Sequence, residues 1–357
     1  MNRIVVGILC GGRSSEHEIS CISAGGILNA IDRDRYKPVL IGITRRAGRW
    51  VLIPEDHPLK IIDGVLPTVP EDAREINTDI HGFSIDGKPL AIDLIFPMLH
   101  GPYGEDGTIQ GFCEIANIPY VGSGVLASAV AMDKSFAKPI FAAQGMKVAE
   151  GIVITAEQWQ RNRAVCETLV SGLQYPLFVK PARGGSSRGT TKVKSAADLG
   201  AAIEEAHRFD RKAMVEEAIV GREIECAVLE IDGEVETSNP GEIIIDSKFE
   251  FYDFEAKYLD SATSVVVPAD LPAAASSEIQ RLARLAFTSL GCSGLARVDF
   301  FYCADGRIVI NELNTMPGFT PTSVFPLLMA ASGVEYPQII DELMKSALMR
   351  KNSALGN

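Results

Sequence analysis

The run Leu295-Ala296-Arg297-Val298-Asp299-Phe300-Phe301 is followed, after the turn Asp305-Gly306, by Arg307-Ile308-Val309-Ile310-Asn311-Glu312-Leu313-Asn314. Asp-Gly between two runs rich in β-branched and aromatic residues is a strong hairpin signal. With those two residues as the loop, Ala304 opposes Arg307, Asp299 opposes Glu312, and Arg297 opposes Asn314. Strand side chains alternate with period two, so all four share one sheet face. Two carboxylates directly opposed across strands repel unless a cation lies between them. Asp299, Glu312 and Asn314 are oxygen donors of the kind that suit Mg²⁺, which leaves the rest of its octahedron to water and substrate phosphates. The alternative is a solvated charged face on which Arg297 pairs with Asp299.

Working outward, the next segment is Asn314-Thr315-Met316-Pro317-Gly318-Phe319-Thr320-Pro321-Thr322-Ser323. Its backbone N–H groups and hydroxyls suit a carboxylate or oxyanion, against the plainer reading of a proline-glycine turn. Upstream, Gly184-Gly185-Ser186-Ser187-Arg188-Gly189-Thr190-Thr191 has the glycine spacing of a P-loop, but Thr190 stands where that motif has lysine. This stretch follows the apolar run Pro176-Leu177-Phe178-Val179-Lys180. Small residues let a backbone close over phosphates, with Lys134, Lys180 and Lys257 as countercharges; a surface loop is the alternative. Gly11-Gly12 lacks the third glycine and the distal acid of a dinucleotide site.

The first third alternates strands, predicted at 4–9, 39–43 and 92–99, with helices at 18–31 and 107–116, the sign of a parallel sheet covered on both faces. Residues 54–79, rich in Pro and Asp, read as a surface excursion. Helices are predicted at 127–143, 156–173 and 196–207, with strands at 176–180 and 214–216. The last third holds strands at 223–231 and 235–245, a loop at 246–263, a helix at 275–290, the hairpin and a closing helix. The fold class expected is α/β plus α+β in three parts, which suits 357 residues. Lys plus Arg number 34 against 46 Asp plus Glu, a net charge of -12 that disfavours nucleic acid as a partner. No run approaches the roughly 18 apolar residues of a membrane span. The start, Met1 to Gly7, passes straight into a strand pattern, so no signal peptide is expected. Seven scattered cysteines without a C-x-x-C pair point to reduced thiols and a cytoplasmic protein.

Together these segments resemble the D-alanine–D-alanine ligase family of the ATP-grasp superfamily. The matching stretches begin with Gly11-Gly12-Arg13-Ser14-Ser15-Glu16-His17-Glu18-Ile19-Ser20 and His100-Gly101-Pro102-Tyr103-Gly104-Glu105-Asp106-Gly107-Thr108. They continue through Met132-Asp133-Lys134, Val179-Lys180-Pro181, Gly185-Ser186-Ser187 and Gly221-Arg222-Glu223. Phe251-Tyr252-Asp253-Phe254-Glu255-Ala256-Lys257-Tyr258, Ala296-Arg297-Val298-Asp299 and Asn311 to Phe319 complete the series in family order.

The resemblance implies a three-domain ATP-grasp ligase: an N-terminal α/β domain at 1–122, a central ATP-grasp domain at 123–213, and a C-terminal one at 214–357. It implies ATP phosphates on Lys134 and Lys180, and adenine and ribose near Glu216, Glu217, Ile219 and Glu223, with Asn311 and Glu312 also on the nucleotide. Two Mg²⁺ or Mn²⁺ ions would lie on Asp299, Glu312 and Asn314. Glu16 would orient the first D-alanine within a triad with Ser186 and Tyr258, and Lys257 would face the transferring phosphoryl group. Arg297 and the Gly318 N–H would form an oxyanion site. His100, Ser323 and Val324 would complete the D-alanine pocket, and 246–263 would be its lid. The activity implied is ATP-dependent joining of two D-alanines for peptidoglycan by a cytoplasmic homodimer that binds neither nucleic acid nor membrane. Other readings are a ligase with another acceptor, such as D-serine, a catalytically silent nucleotide-binding homologue, and, weaker, an NAD-linked oxidoreductase. Two residues depart from the family pattern: Glu217, where some members have lysine, and Arg188, where an apolar residue is usual.

Overall fold

The structure is a computed structural model that describes residues 3–185, 187–245 and 263–350. Strand β1 (Ile4–Gly11) is apolar and buried along most of its length. It pairs in parallel with β2 (Tyr36–Ile43) after helix α1 (His17–Ala30). β3 (Trp50–Leu52) and β4 (Arg74–Glu75) extend that edge antiparallel, so the sheet expected to be parallel is mixed, and β5 (Asn77–Asp79), β6 (Gly82–Ile85) and β7 (Lys88–Leu90) form a small separate sheet. β8 (Leu94–Pro97) lies on the other side of β1, giving the order β4-β3-β2-β1-β8, and α2 (Thr108–Ile115) follows. The expected surface excursion at 54–79 is anchored in the fold: Leu59, Val69 and Ile76 are buried in it. Gly25 of α1 makes one anchor possible, since a Cβ there would stand 2.1 Å from the Leu59 carbonyl oxygen.

The helix predicted over 127–143 is two helices, α3 (Val125–Met132) and α4 (Lys134–Ala143). Asp133 ends the first in extended backbone and caps the second, its carboxylate accepting the Ser135 N–H. In the same way Asn162 splits the helix predicted over 156–173 into α5 (Ala156–Arg161) and α6 (Arg163–Val170). β9 (Gly151–Thr155), β10 (Leu177–Pro181), β11 (Thr191–Val193) and β12 (Lys212–Glu217) form an antiparallel sheet in the order β11-β10-β12-β9. Helix α7 (Ala196–His207) covers it through Leu199, Ala202, Ile203 and Ala206.

The third sheet holds β13 (Arg222–Ile231), β14 (Glu234–Thr237), β15 (Gly241–Ile245), β16 (Thr263–Val266), β17 (Leu295–Tyr302) and β18 (Ile308–Asn314). The strand predicted over 235–245 is interrupted at Asn239-Pro240, where proline has no N–H to give a ladder. Helix α8 (Ala273–Ser289) covers one face of this sheet together with α3 and α4. Helices α9 (Val324–Ala330) and α10 (Tyr336–Met349) cover the other, in a core they share with β1 and β8. All seven cysteines are free and buried, and no helix among the described residues is long and apolar enough to cross a membrane.

The decisive hairpin corrects one expectation. Its loop is the three residues Ala304, Asp305 and Gly306, with Cys303 donating to the Arg307 carbonyl and Gly306 in the left-handed region at φ +82°. Phe300, Phe301 and Tyr302 therefore oppose Ile310, Val309 and Ile308, one residue away from the two-residue-loop register. An irregularity beside Asp299 restores it, with Asn311 as the extra residue, so Asp299 opposes Glu312 and Arg297 opposes Asn314.

Candidate active site

A cleft of about 420 Å³ lies between the β10–β12 face and the β13–β17–β18 face. Lys180, near the end of β10, places its ammonium 2.8 Å from Glu216 and 3.4 Å from the Asn311 amide oxygen. Lys134, the first residue of α4, lies 2.8 Å from Glu312 and donates to the Gly184 carbonyl at 3.0 Å. Burial alone would lower the pKa of Lys134, but Glu312 and Glu216 outweigh it and leave the ammonium above the usual lysine value. Burial likewise pushes Glu216 up, while Lys138 and Lys180 pull it well below the usual carboxylate range. Glu217, Ile219 and Glu223 line the same cleft, with one Glu217 oxygen accepting the Gln174 N–H. Arg188 also lines it, its guanidinium over the Phe209 ring.

The bulge explains how the neighbours Asn311 and Glu312 both face this cleft, where strict alternation would turn one away. Across β13, β17 and β18, Glu225, Asp299 and Glu312 stand in one row as successive partners. Arg297 holds the first two: Nε is 2.8 Å from Glu225, and Nε and Nη2 each donate to Asp299 at 2.8 Å. The Asn314 amide donates to Asp299 at 3.1 Å. Among the described residues no group of three His, Cys, Asp and Glu side chains is placed to hold a metal ion; the expected donor set is two carboxylates and an amide.

A second cavity of about 340 Å³ is lined by Glu16, His100, Glu105, Arg297, Asn314, Gly318, Ser323 and Val324. It meets the first at Lys134, Gly184 and Glu312, which line both. Glu16 is buried at the head of α1 between two glycines; a Cβ at Gly101 or Gly185 would stand 2.8 or 3.3 Å from its carboxylate. His100 meets the Met316 carbonyl through Nδ1 at 3.1 Å and Ser23 Oγ through Nε2 at 3.3 Å. A carbonyl only accepts, so Nδ1 carries the proton and Nε2 accepts from Ser23. Burial lowers the pKa of His100. Both ring nitrogens are thus engaged with protein, and His100 fixes the Met316–Gly318 turn. Gly318 lets Ser323 approach, since a Cβ there would lie 3.2 Å from its hydroxyl, which accepts the Thr320 N–H.

The structure gathers every expected residue it describes into these two cavities. Ser186, Lys257, Tyr258 and the lid expected at 246–263, apart from Thr263, lie outside the described residues. The sequence reading gave no role to Lys138, Glu105 or Glu225. The first is signalled only by its i+4 spacing from Lys134, and the last by its period-two spacing from Glu223.

Two sheets facing each other over a lysine-lined cleft, preceded by an α/β sheet with a parallel β2-β1-β8 core, define an ATP-grasp ligase. Residues 5–123 match the family described as D-ala D-ala ligase N-terminus, and 140–345 the one described as D-ala D-ala ligase C-terminus. Proteins named D-alanine--D-alanine ligase from Arthrobacter sp. (strain FB24) and Streptomyces coelicolor are 48% and 47% identical, over 97% of this chain and 94% and 93% of theirs. The VanG D-Ala:D-Ser ligase from Enterococcus faecalis superposes with a TM-score of 0.85 at 35% identity, over 97% of this chain and 100% of that one. The D-alanine-D-alanine ligase from Coxiella burnetii gives 0.82 at 35%, over 98% and 94%. This chain belongs to the D-ala D-ala ligase family and is a ligase enzyme.

Proposed function

We propose that the chain joins two D-alanines into D-alanyl-D-alanine through a D-alanyl phosphate, converting ATP to ADP and phosphate. The observation that carries this reading is the junction of the two cavities at Lys134 and Glu312. A nucleotide in the larger cavity with its phosphates toward Lys134 and Lys180 abuts a molecule held by Glu16 and Arg297. A carboxylate is a poor electrophile, so the first D-alanine, its ammonium on Glu16, attacks the terminal phosphorus through its carboxylate oxygen and releases ADP. The amine of the second D-alanine, its carboxylate near Ser323, then attacks the acyl carbon. The resulting oxyanion faces Arg297, oriented by Glu225 and Asp299, and the Gly318 N–H; collapse expels phosphate, and the amine loses a proton. Asp299, Glu312 and Asn314 fit Mg²⁺ or Mn²⁺, being oxygen donors whose two carboxylates oppose one another. A bound ion would offset charge on the transferred phosphoryl group.

Ser186, Lys257 and Tyr258 are assigned by family resemblance, as are two ions per site, the homodimer, the cytoplasmic location, the role in peptidoglycan synthesis and the division into units at 1–122, 123–213 and 214–357. The test is phosphate release from ATP and Mg²⁺ with D-alanine, L-alanine as control and D-serine as competing acceptor, with product mass read in parallel. D-alanine-dependent phosphate with the D-alanyl-D-alanine mass is expected. A mixed D-alanyl-D-serine product in preference would overturn the acceptor assignment, and no phosphate with any acceptor would overturn the ligase reading.

A further inference from the structure

Lys134 opens α4 and Lys138 follows one turn later, so their side chains lie on one face of the helix. Like charges at this spacing repel, and both sit near the positive end of the helix dipole. Two carboxylates offset this. Glu312 takes Lys134 at 2.8 Å, and Glu216 takes Lys138 at 2.5 Å. Glu216 has a second lysine: Oε1 meets Lys138, while Oε2 lies 2.8 Å from Lys180. The Lys138 and Glu216 side chains are 6% and 5% exposed, and Lys138 lines neither cavity, whereas Lys180 opens into the larger one. Lys138 therefore stands behind Glu216, its carboxylate partner, which lines the larger cavity.

The charge balance gives this arrangement a purpose. One carboxylate between two ammonium groups leaves one positive charge over. Because Lys138 is enclosed and Lys180 faces the cleft, the surplus is presented by Lys180. Without Lys138, Glu216 would pair with Lys180 alone and cancel it. We propose that Lys138 is a positioning residue for nucleotide binding, neutralising Glu216 so that this carboxylate braces Lys180 while the charge of Lys180 remains for a phosphate. The inference rests on ATP occupying the larger cavity. The charged groups facing Lys138 are Glu216 on β12, Lys180 on β10 and Lys134 on its own helix. Burial holds the Lys138 pKa down to about 8 against the pull of Glu216, so its charge is present at neutral pH and fades in mildly alkaline solution.

The test measures ATP and adenosine binding by calorimetry on the full chain as wild type, K138M, E216Q and K138M/E216Q. K138M is expected to weaken ATP by about tenfold or more, the scale of a charge-assisted contact, with adenosine changed less than about twofold. In the E216Q background the same substitution should change ATP affinity less than about twofold, because no carboxylate remains to be neutralised. Equal losses in both backgrounds, or equal losses of ATP and adenosine, would overturn the proposal. If K138M does not fold, E216Q against the double variant decides alone: a further loss of ATP affinity overturns it, and equal affinity supports it. K138R keeps the charge and is expected to hold ATP affinity at pH 9, where wild-type affinity falls; parallel decline would count against the role. Wild-type protein that binds neither ligand would refute the ATP reading itself.

Discussion

Arg297 has two tasks that substitution can separate. It is the cation between Glu225 and Asp299, and it borders the cavity where an oxyanion would form. Arg297→Met removes both, so ligation is expected to fall about 10²–10³-fold. Stability should fall by about 3–5 kcal/mol, because two largely buried carboxylates lose the cation between them. Arg297→Lys keeps a charge but not the planar fork, and should recover most of the urea midpoint with little of the turnover; recovery of both together would reduce Arg297 to a structural ion. Glu105 supplies a pH signature. Burial, then the charge of Glu16, raises its carboxyl to about 8 from an ordinary 4.5, against the Gly101 N–H and Arg297. Between those values the folded chain holds a proton the unfolded chain has lost, so this group's stability contribution is full below pH 4.5 and falls as pH rises through 8. Glu105→Gln mimics the protonated acid, so its urea midpoint should decline less than that of the wild type between about pH 6 and 8.5; parallel slopes would mean Glu105 is ionised throughout. Sequence offered Glu105, Glu225 and Lys138 as ordinary charged residues, since burial and partners arise only when distant segments meet.

At the scale of elements, the hairpin shows why a reading can reach the right residues by an incomplete route. A two-residue loop in a regular ladder puts Asp299 opposite Glu312; so does a three-residue loop followed by a bulge. The one-residue displacement at the turn is undone at Asn311, and no residue type in the sequence marks that bulge. The two halves should respond separately. Gly306 at φ +82° has nothing within 4 Å of where a Cβ would be, so Gly306→Ala should cost about 1–2 kcal/mol of stability from backbone strain alone, leaving turnover unchanged. Asn311→Ala removes the amide oxygen facing Lys180 and should raise the KM for ATP by about fivefold, the worth of one hydrogen bond, with the KM for D-alanine unmoved. Steady-state kinetics on both variants checks this; an ATP effect from Gly306→Ala would mean that the turn, not the bulge, sets the site. The helix breaks at Asp133 and Asn162 were legible in principle, each being a side chain that caps the following helix within an otherwise continuous periodic run.

Across the whole molecule, the change in texture along the chain suggests three parts, but not which surfaces they share. Helices α3 and α4 precede the second sheet in sequence yet pack on the third, and the N-terminal sheet shares one core with α9, α10 and the far face of β13 and β17. Amphipathic periodicity says that a face is buried, never against what. This shared core reaches the smaller cavity, because the segment bearing Gly318 is fastened from the N-terminal side. His100 holds the Met316 carbonyl, and Phe319 packs on Phe96 of β8 with ring centroids 5.7 Å apart. Tyr336 of α10 donates to the Phe319 carbonyl at 2.7 Å. Phe96 lines neither cavity and is wholly buried, so Phe96→Ala should act on chemistry only through that backing. The substitution should cost about 3–5 kcal/mol of stability. In the folded fraction it should raise the KM for D-alanine while leaving the KM for ATP near its original value, because the lysines and carboxylates of the larger cavity are carried by other cores. Equal rises in both would mean that the two cavities respond as one rigid unit, and the segment after β18 would then not be an independently supported part of the acceptor site.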